Sequence, residues 1–214
     1  ADLPDSLRHT WLSGVRVIRR LGDGRRSSVH LIERAGQMVA VKIYAAAAVS
    51  KHIGLNPVPL ARYEYQRNLR LFMTPGVEPH VARPIAFIDD GATQAFVQAF
   101  VPGVLFEHFR AQADDAVLKQ LADSLRGLVG RAHAAGVYDL DLHPNNVMVV
   151  PDPVAGHRLM LFDFNNIPVH ERRSNPLRTL LFALGAIRPA SRDLRRLHLF
   201  TDPPGHNRFG TRRQ

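Results

Sequence analysis

Apolar and polar positions alternate through the first third of the chain. VRVIRRL (15–21), SSVHLIERA (27–35) and QMVAVKIY (37–44) are short, partly alternating and rich in β-branched residues, which predicts three strands. Gly22, Gly24 and Gly36 punctuate them. The period then changes. In PLARYEYQRNLRLFMT (58–73), Leu60, Tyr63, Leu69 and Phe72 recur at helical spacing. VARPIAFID (81–89) and QAFVQAFV (94–101) return to strand. AAAA at 45–48 stands out only as a low-complexity tract, and no internal repeat is present.

Pro102 and Gly103 close the last of these strands, and helical patterns take over at 104–111 and 114–135. Asp114 or Asp115 is placed to cap the longer helix, whose apolar set runs Val117, Leu118, Leu121, Leu125, Leu128, Val129 and Ala132. Two short strands follow at 147–150 and 158–162, and the remainder reads as helical and basic. The pattern predicts an α+β chain: a β-rich lobe over 1–101 with one helix, a hinge near 99–103, and a short helical lobe over 102–214.

Composition narrows the function classes. At 214 residues and 45% hydrophobic, the chain can bury a core. No apolar run reaches the roughly 18–20 residues of a spanning helix, and the polar start ADLPDSLRHTW leads us to expect no secretory signal. Cysteine is absent, which excludes disulfides and thiolate metal sites. These features suit a cytoplasmic protein. The net charge is +9, and ten Arg fall between Arg172 and Arg213, against only Asp193 and Asp202. Such a stretch favours anionic partners. Aromatics do not interleave with the basic residues, so no nucleic acid is expected. Arg188, Arg192, Arg195 and Arg196 recur at about helical spacing. One arginine-rich face would suit peripheral contact with an anionic membrane, and the plainer alternative is a solvated helix.

The chemistry concentrates in DLDLHPNNVMVV (139–150), where polar groups crowd against an apolar run. Asp141 and Asn146, five apart, form half of a candidate metal site. LMLFDFN (159–165) supplies the rest: Asp163 ends an apolar strand, and a hairpin of the two short strands would bring it near Asn146. A carboxylate and an amide oxygen are hard ligands that suit Mg²⁺ or Mn²⁺. Mg²⁺ generally completes its shell with substrate phosphates, so the pair implies a nucleotide. In the β-rich half, LGDGRRSSV (21–29) spaces Gly22, Gly24 and Val29 between two strands, where glycine lets backbone amides approach phosphate. Lys42 sits on an otherwise apolar strand, which is costly without an anionic partner. Glu64, on the following helix, is the candidate.

The order of glycine loop, strand Lys, helix Glu, strand and hinge, D-L-H-P-N-N and D-F-N resembles the protein-kinase-like superfamily over roughly residues 15–170. That resemblance implies a two-lobed fold and ATP and Mg²⁺ as cofactors, with Mn²⁺ as a substitute. Gly22 and Gly24 would cover the phosphates, Val29 would pack on the adenine, and Lys42, braced by Glu64, would hold the α- and β-phosphates. Gln98 would be the gatekeeper, with the backbone of Ala99 and Val101 meeting the adenine edge. Asp141 would be catalytic, and Asn146 and Asp163 would hold the metal.

The departures narrow the branch. Asp139 and Leu140 stand where protein kinases carry His-Arg, His143 where they carry Lys, and DFN where they carry DFG. A D-L-H-P-x-N loop is similar to those of aminoglycoside and choline phosphotransferases and of bacterial lipopolysaccharide core kinases. The short stretch after Asp163 and its basic character look most like the kinases of Kdo or heptose and their YrbL and toluene-tolerance-like relatives. This branch implies a sugar hydroxyl of the lipopolysaccharide inner core as acceptor, at the inner face of the inner membrane. The alternatives are a compact RIO-like protein Ser/Thr kinase and a nucleotide-binding pseudokinase. His143 reads as structural or phosphate-directed, Asp139 as a loop cap, His133 as structural and Trp11 as a packing anchor.

Overall fold

A computed structural model describes residues 7, 11–91, 93–188 and 191–201. The alternating segments become strands β1 (Arg16–Asp23), β2 (Ser27–Arg34), β3 (Gln37–Tyr44), β4 (Pro84–Asp89) and β5 (Gln94–Ala99). They form one antiparallel sheet in the order β1-β2-β3-β5-β4. Successive side chains of a strand point to opposite faces, so β3 is divided between two jobs. Val39, Val41 and Ile43 join Leu7, Leu12, Ile32, Ile88, Ala95 and Val97 in one core. Ala40, Lys42 and Tyr44 face the other way, where Tyr44 and Phe96 pack with Leu60 and Ala61 of helix α2 (Leu60–Phe72). Trp11 packs against the first core, with the Arg34 guanidinium 4.1 Å from its ring centre.

Between β3 and α2 lies a helix the pattern did not predict, α1 (Ala46–Leu55). Its alanines are the strongest helix formers, so the low-complexity tract carried the signal. The segment expected as one helix over 104–111 divides instead into a two-residue strand, β6 (Val104–Leu105), and a single turn, α3 (Phe106–Phe109). The reason is pairing: Val104 and Leu105 lie opposite Val149 and Met148 of β7 (Val147–Asp152). The long helix is α4 (Asp115–Ala134), with Asp114 in the capping position but making no side-chain cap bond. β8 (Gly156–Leu161) completes the hairpin with β7. The α4 face of Leu121, Leu125, Leu128, Val129 and Ala132 packs with Phe106, Leu140, Leu142, Leu159, Phe164 and Phe200 in the second core.

Residues 100–103 join the two parts without regular structure. A side chain on Gly103 would come within 2.8 Å of Val150 Cγ1 and 3.0 Å of the Val149 carbonyl, so only glycine lets the chain pass so close to β7. The basic stretch carries α5 (Pro176–Ala183) and one α-helical turn, α6 (Asp193–Arg196), which passes directly into a tighter turn at Leu197–Phe200. The expected arginine face over 188–196 does not form. Arg188 precedes α6 and Arg192 is its N-cap, while Arg192 and Arg196 both turn towards carboxylates. Arg208, Arg212, Arg213 and Asp202 lie outside the described residues.

Candidate functional site

The sheet register positions Lys42 opposite Val29 on one side and Phe96 on the other. Its ammonium donates to both oxygens of Glu64, at 3.0 and 2.9 Å, and also to Asp163 Oδ1. Glu64 is 1% exposed, and the Tyr44 hydroxyl donates to it as well. Burial alone would lower the Lys42 pKa, but the carboxylates of Asp163 and Glu64 outweigh it and hold the ammonium above its ordinary value. Burial raises Glu64, with Lys42 opposing, and burial beside Glu64 raises Tyr44. One cation therefore answers two carboxylates, and the trio keeps spare negative charge.

The β7–β8 hairpin does what the sequence pattern required of it. Val147 pairs with Leu161, and the Phe162 amide donates to the Asn146 carbonyl at 3.4 Å, so the loops carrying Asn146 and Asp163 meet. Asn146 Nδ2 donates to the Asp141 carbonyl at 2.9 Å, which leaves the Asn146 side-chain oxygen without a hydrogen bond among the described residues. Asp163 Oδ1 accepts from Asn165 Nδ2 at 2.6 Å as well as from Lys42, and its second oxygen has no such partner. Two hard oxygens with spare negative charge beside them fit a divalent Mg²⁺ or Mn²⁺ ion. No cluster of three His, Asp or Glu suited to a metal exists among the described residues, so such an ion would need further oxygens from its ligand.

Asp139, Asp141 and Asp163 all have positive φ, at 53°, 54° and 69°. Such geometry costs energy in a non-glycine residue and persists only where surroundings enforce it. Here they do. Buried Asp193 (1% exposed) accepts from the Leu140 amide at 2.9 Å, His133 Nε2 at 2.9 Å and Ser191 Oγ at 2.7 Å. Buried Asp139 accepts from the Arg192 amide at 3.1 Å. Arg196 Nη1 donates to Asp141 Oδ1 at 2.6 Å and to the Leu142 carbonyl at 3.4 Å. From the other side, Arg67 donates to the Tyr138 and Asp139 carbonyls. His143 is exposed, and its Nδ1 accepts from the Asn145 amide at 3.2 Å.

A cleft of about 410 Å³ opens between the sheet and the hairpin. That size falls within the ~300–1,000 Å³ typical of small-molecule sites. Gly22, Val29, Lys42, Glu64, Gln98, Ala99, Val101 and Asp163 line it, and Gln98 Oε1 accepts from Asn68 Nδ2 at 3.3 Å. Gly24 does not line it; its amide closes the β1–β2 turn on the Ser27 carbonyl at 2.9 Å. Asp141 and Asn146 also lie outside the lining, which their neighbour Asn145 reaches.

The sequence pattern missed Asp193 and Arg196 as site residues. One signal was available, a lone acid amid arginines in SRDLRR, but only the fold brings it to the Leu140 amide. Tyr44 and Asn165 were missed too, although each stands two residues from a predicted site residue.

No family model matches the chain. Solved structures do. A single-substitution form of the Mycobacterium tuberculosis PknI kinase domain matches with 19% identity and a TM-score of 0.60, over 88% of this chain and 74% of that one. The unsubstituted PknI kinase domain matches with 19% identity and a TM-score of 0.54, over 76% of this chain and 66% of that one. The kinase PK-1 of Cydia pomonella granulovirus matches with 18% identity and a TM-score of 0.53, over 74% of this chain and 54% of that one. The chain therefore has the protein-kinase-like fold: a β-rich N-terminal part followed by a short helical part.

Proposed function

We propose that the chain is an ATP- and Mg²⁺-dependent phosphotransferase acting on a hydroxyl, with an anionic sugar of the lipopolysaccharide inner core as the favoured acceptor. One observation carries this reading: Lys42, held between Glu64 and Asp163, faces the cleft beside the loop that holds Asp141 and Asn146. Lys42 binds the α- and β-phosphates, Val29 packs on the adenine, and the Ala99 and Val101 backbone meets its edge. Asn146 and Asp163 hold the metal, which neutralises phosphate charge when bound. Asp141 accepts the acceptor hydroxyl's proton as the new O–P bond forms and the bond to ADP breaks. Arg196 keeps that carboxylate aimed. Catalysis of this kind is mostly positioning and charge neutralisation. Among the described residues no helix is long and apolar enough to cross a membrane.

A second reading, a compact protein Ser/Thr kinase, is favoured by the PknI resemblance. A third is a nucleotide-binding pseudokinase, since Asp141 is engaged by Arg196. Labelled ATP incubated with core oligosaccharide, a generic protein acceptor and the chain alone separates the three. Label on the sugar supports the leading reading, and label on protein supports the second. ATP binding with no transfer supports the third. ATP with Mg²⁺ should also raise the melting temperature, because a ligand of the native state stabilises it by mass action. Lys42→Met should shrink that shift.

A further inference from the structure

A second cavity of about 240 Å³ lies beside the first, behind Tyr44 and Asn165. Its lining brings four cationic side chains together, Arg26, Lys51, Arg172 and Arg192, and includes no carboxylate. They come from four separate places: the β1–β2 turn, α1, the chain before α5, and the N-cap of α6. Nothing in local sequence gathers them; the fold does.

The positive charge is left largely unanswered. Arg26 and Lys51 have no ion pair or side-chain hydrogen bond among the described residues. Arg172 donates Nε to the Ile167 carbonyl at 3.1 Å, which fixes the guanidinium and leaves both Nη groups unbonded among the described residues. Arg192 alone has a partial counter-charge, with Asp139 Oδ1 3.8 Å from its Nε. The walls are also tied together, because the Arg173 amide donates to the Leu55 carbonyl at the end of α1, at 2.9 Å. A concave cluster of cations whose lining includes no carboxylate focuses positive potential and attracts anions. The cavity is smaller than the ~300 Å³ that larger ligands use, and suits a compact anion.

We infer that this pocket is a binding site for a phosphate dianion, free or carried as a monoester. Guanidinium forks match phosphate oxygens with paired donors, and an ammonium adds a point charge. Two sources share this chemistry: a phosphate carried by the acceptor, and free phosphate. The site stands independently of the phosphotransferase reading; only its link to an acceptor rests on it. The position supports that link, since Asn165 follows Asp163 by two residues and Arg192 meets Asp139, two residues before Asp141.

Titration calorimetry tests the site on the full chain, with the larger cleft first saturated by a non-hydrolysable ATP analogue and Mg²⁺. Inorganic phosphate should bind, and Lys51→Glu should weaken it about tenfold or more, the loss expected from one charge-assisted hydrogen bond. Lys51→Arg should retain binding. A melting curve checks that each variant is folded. Absence of phosphate binding by the native chain, or binding that Lys51→Glu leaves unchanged, overturns the inference. A phosphorylated sugar that binds more tightly than inorganic phosphate, with the same dependence on Lys51, identifies the acceptor as the source. Equal affinities identify free phosphate. Failure of the ATP analogue to bind would instead count against the phosphotransferase reading and leave the phosphate result standing.

Discussion

Asp193 offers the sharpest mutational test of how the site is held. It is 1% exposed and accepts three hydrogen bonds, from the Leu140 amide, His133 and Ser191. Asp193→Ala removes both acceptor oxygens, and with them all three hydrogen bonds, and strands the buried Leu140 N–H. An unsatisfied buried donor costs about 1–3 kcal/mol. The upper part of that range, about 2–3 kcal/mol, applies, because His133 and Ser191 lose their partner in the same step. For a chain of this size, 1 kcal/mol moves the melting temperature by about 2–4 °C, so the expected drop is about 4–12 °C. Asp193→Asn keeps one oxygen for the Leu140 amide and should lose about half as much. Paired urea and thermal unfolding of the three proteins measures this. An Asp193→Ala variant within about 1 kcal/mol of the native chain would refute the reasoning, since it would show that the Leu140 amide is satisfied without the carboxylate.

Three further outcomes are expected. Gly103→Ala sets a methyl against Val150 Cγ1 and the Val149 carbonyl, at 2.8 and 3.0 Å, and should destabilise by about 1–3 kcal/mol in urea; an unchanged midpoint would contradict the tight crossing. Arg196→Gln should lower kcat about 10–100-fold, the worth of a charge-assisted bond to Asp141, and leave the KM for ATP unchanged; if KM moves and kcat does not, the arginine acts elsewhere. Burial holds His30, His52, His80 and His170 below the ordinary imidazole value. The native state therefore binds their protons less readily than the unfolded chain. Their contribution is present above about pH 6.5 and is lost as pH falls through the folded values. The melting temperature should fall between pH 7.5 and 5.5. Glu64, raised by burial, acts with the opposite sign, so the series is repeated in Glu64→Gln. A melting temperature that stays level or rises on acidification in that variant would reject the histidine account.

Much of the fold was legible because strand and helix periods are local. The three strands around Lys42, helix α2 and the long helix α4 could be read from spacing alone, within a residue or two of their ends. The hairpin logic that brings Asp163 to Asn146 was legible as well, since two short strands with a brief connection have one simple way to pair. What could not be read depends on long-range partners. Val104 and Leu105 are a strand only because β7 lies beside them, and no local pattern distinguishes them from the start of a helix. The arginines over 188–196 were spaced for one helical face, but Asp193 finds Leu140, and Arg196 finds Asp141, across more than fifty residues. Those pairings give the charge of Arg196 a local use. The basic pocket is the extreme case, because its four cations are scattered from Arg26 to Arg192.

The central claim is phosphoryl transfer, with Asp141 serving the acceptor and Asp163 the metal-bound nucleotide. Its most direct test combines transfer and binding on three proteins: the native chain, Asp141→Asn and Asp163→Asn. Each is incubated with γ-labelled ATP, Mg²⁺ and isolated core oligosaccharide, and Mg²⁺-dependent nucleotide affinity is measured alongside. The account predicts that the native chain labels the oligosaccharide, that Asp141→Asn binds nucleotide nearly as well but transfers nothing, and that Asp163→Asn loses Mg²⁺-dependent affinity as well as transfer. A native chain that labels neither sugar nor protein, or an Asp141→Asn variant that transfers at the native rate, would contradict it.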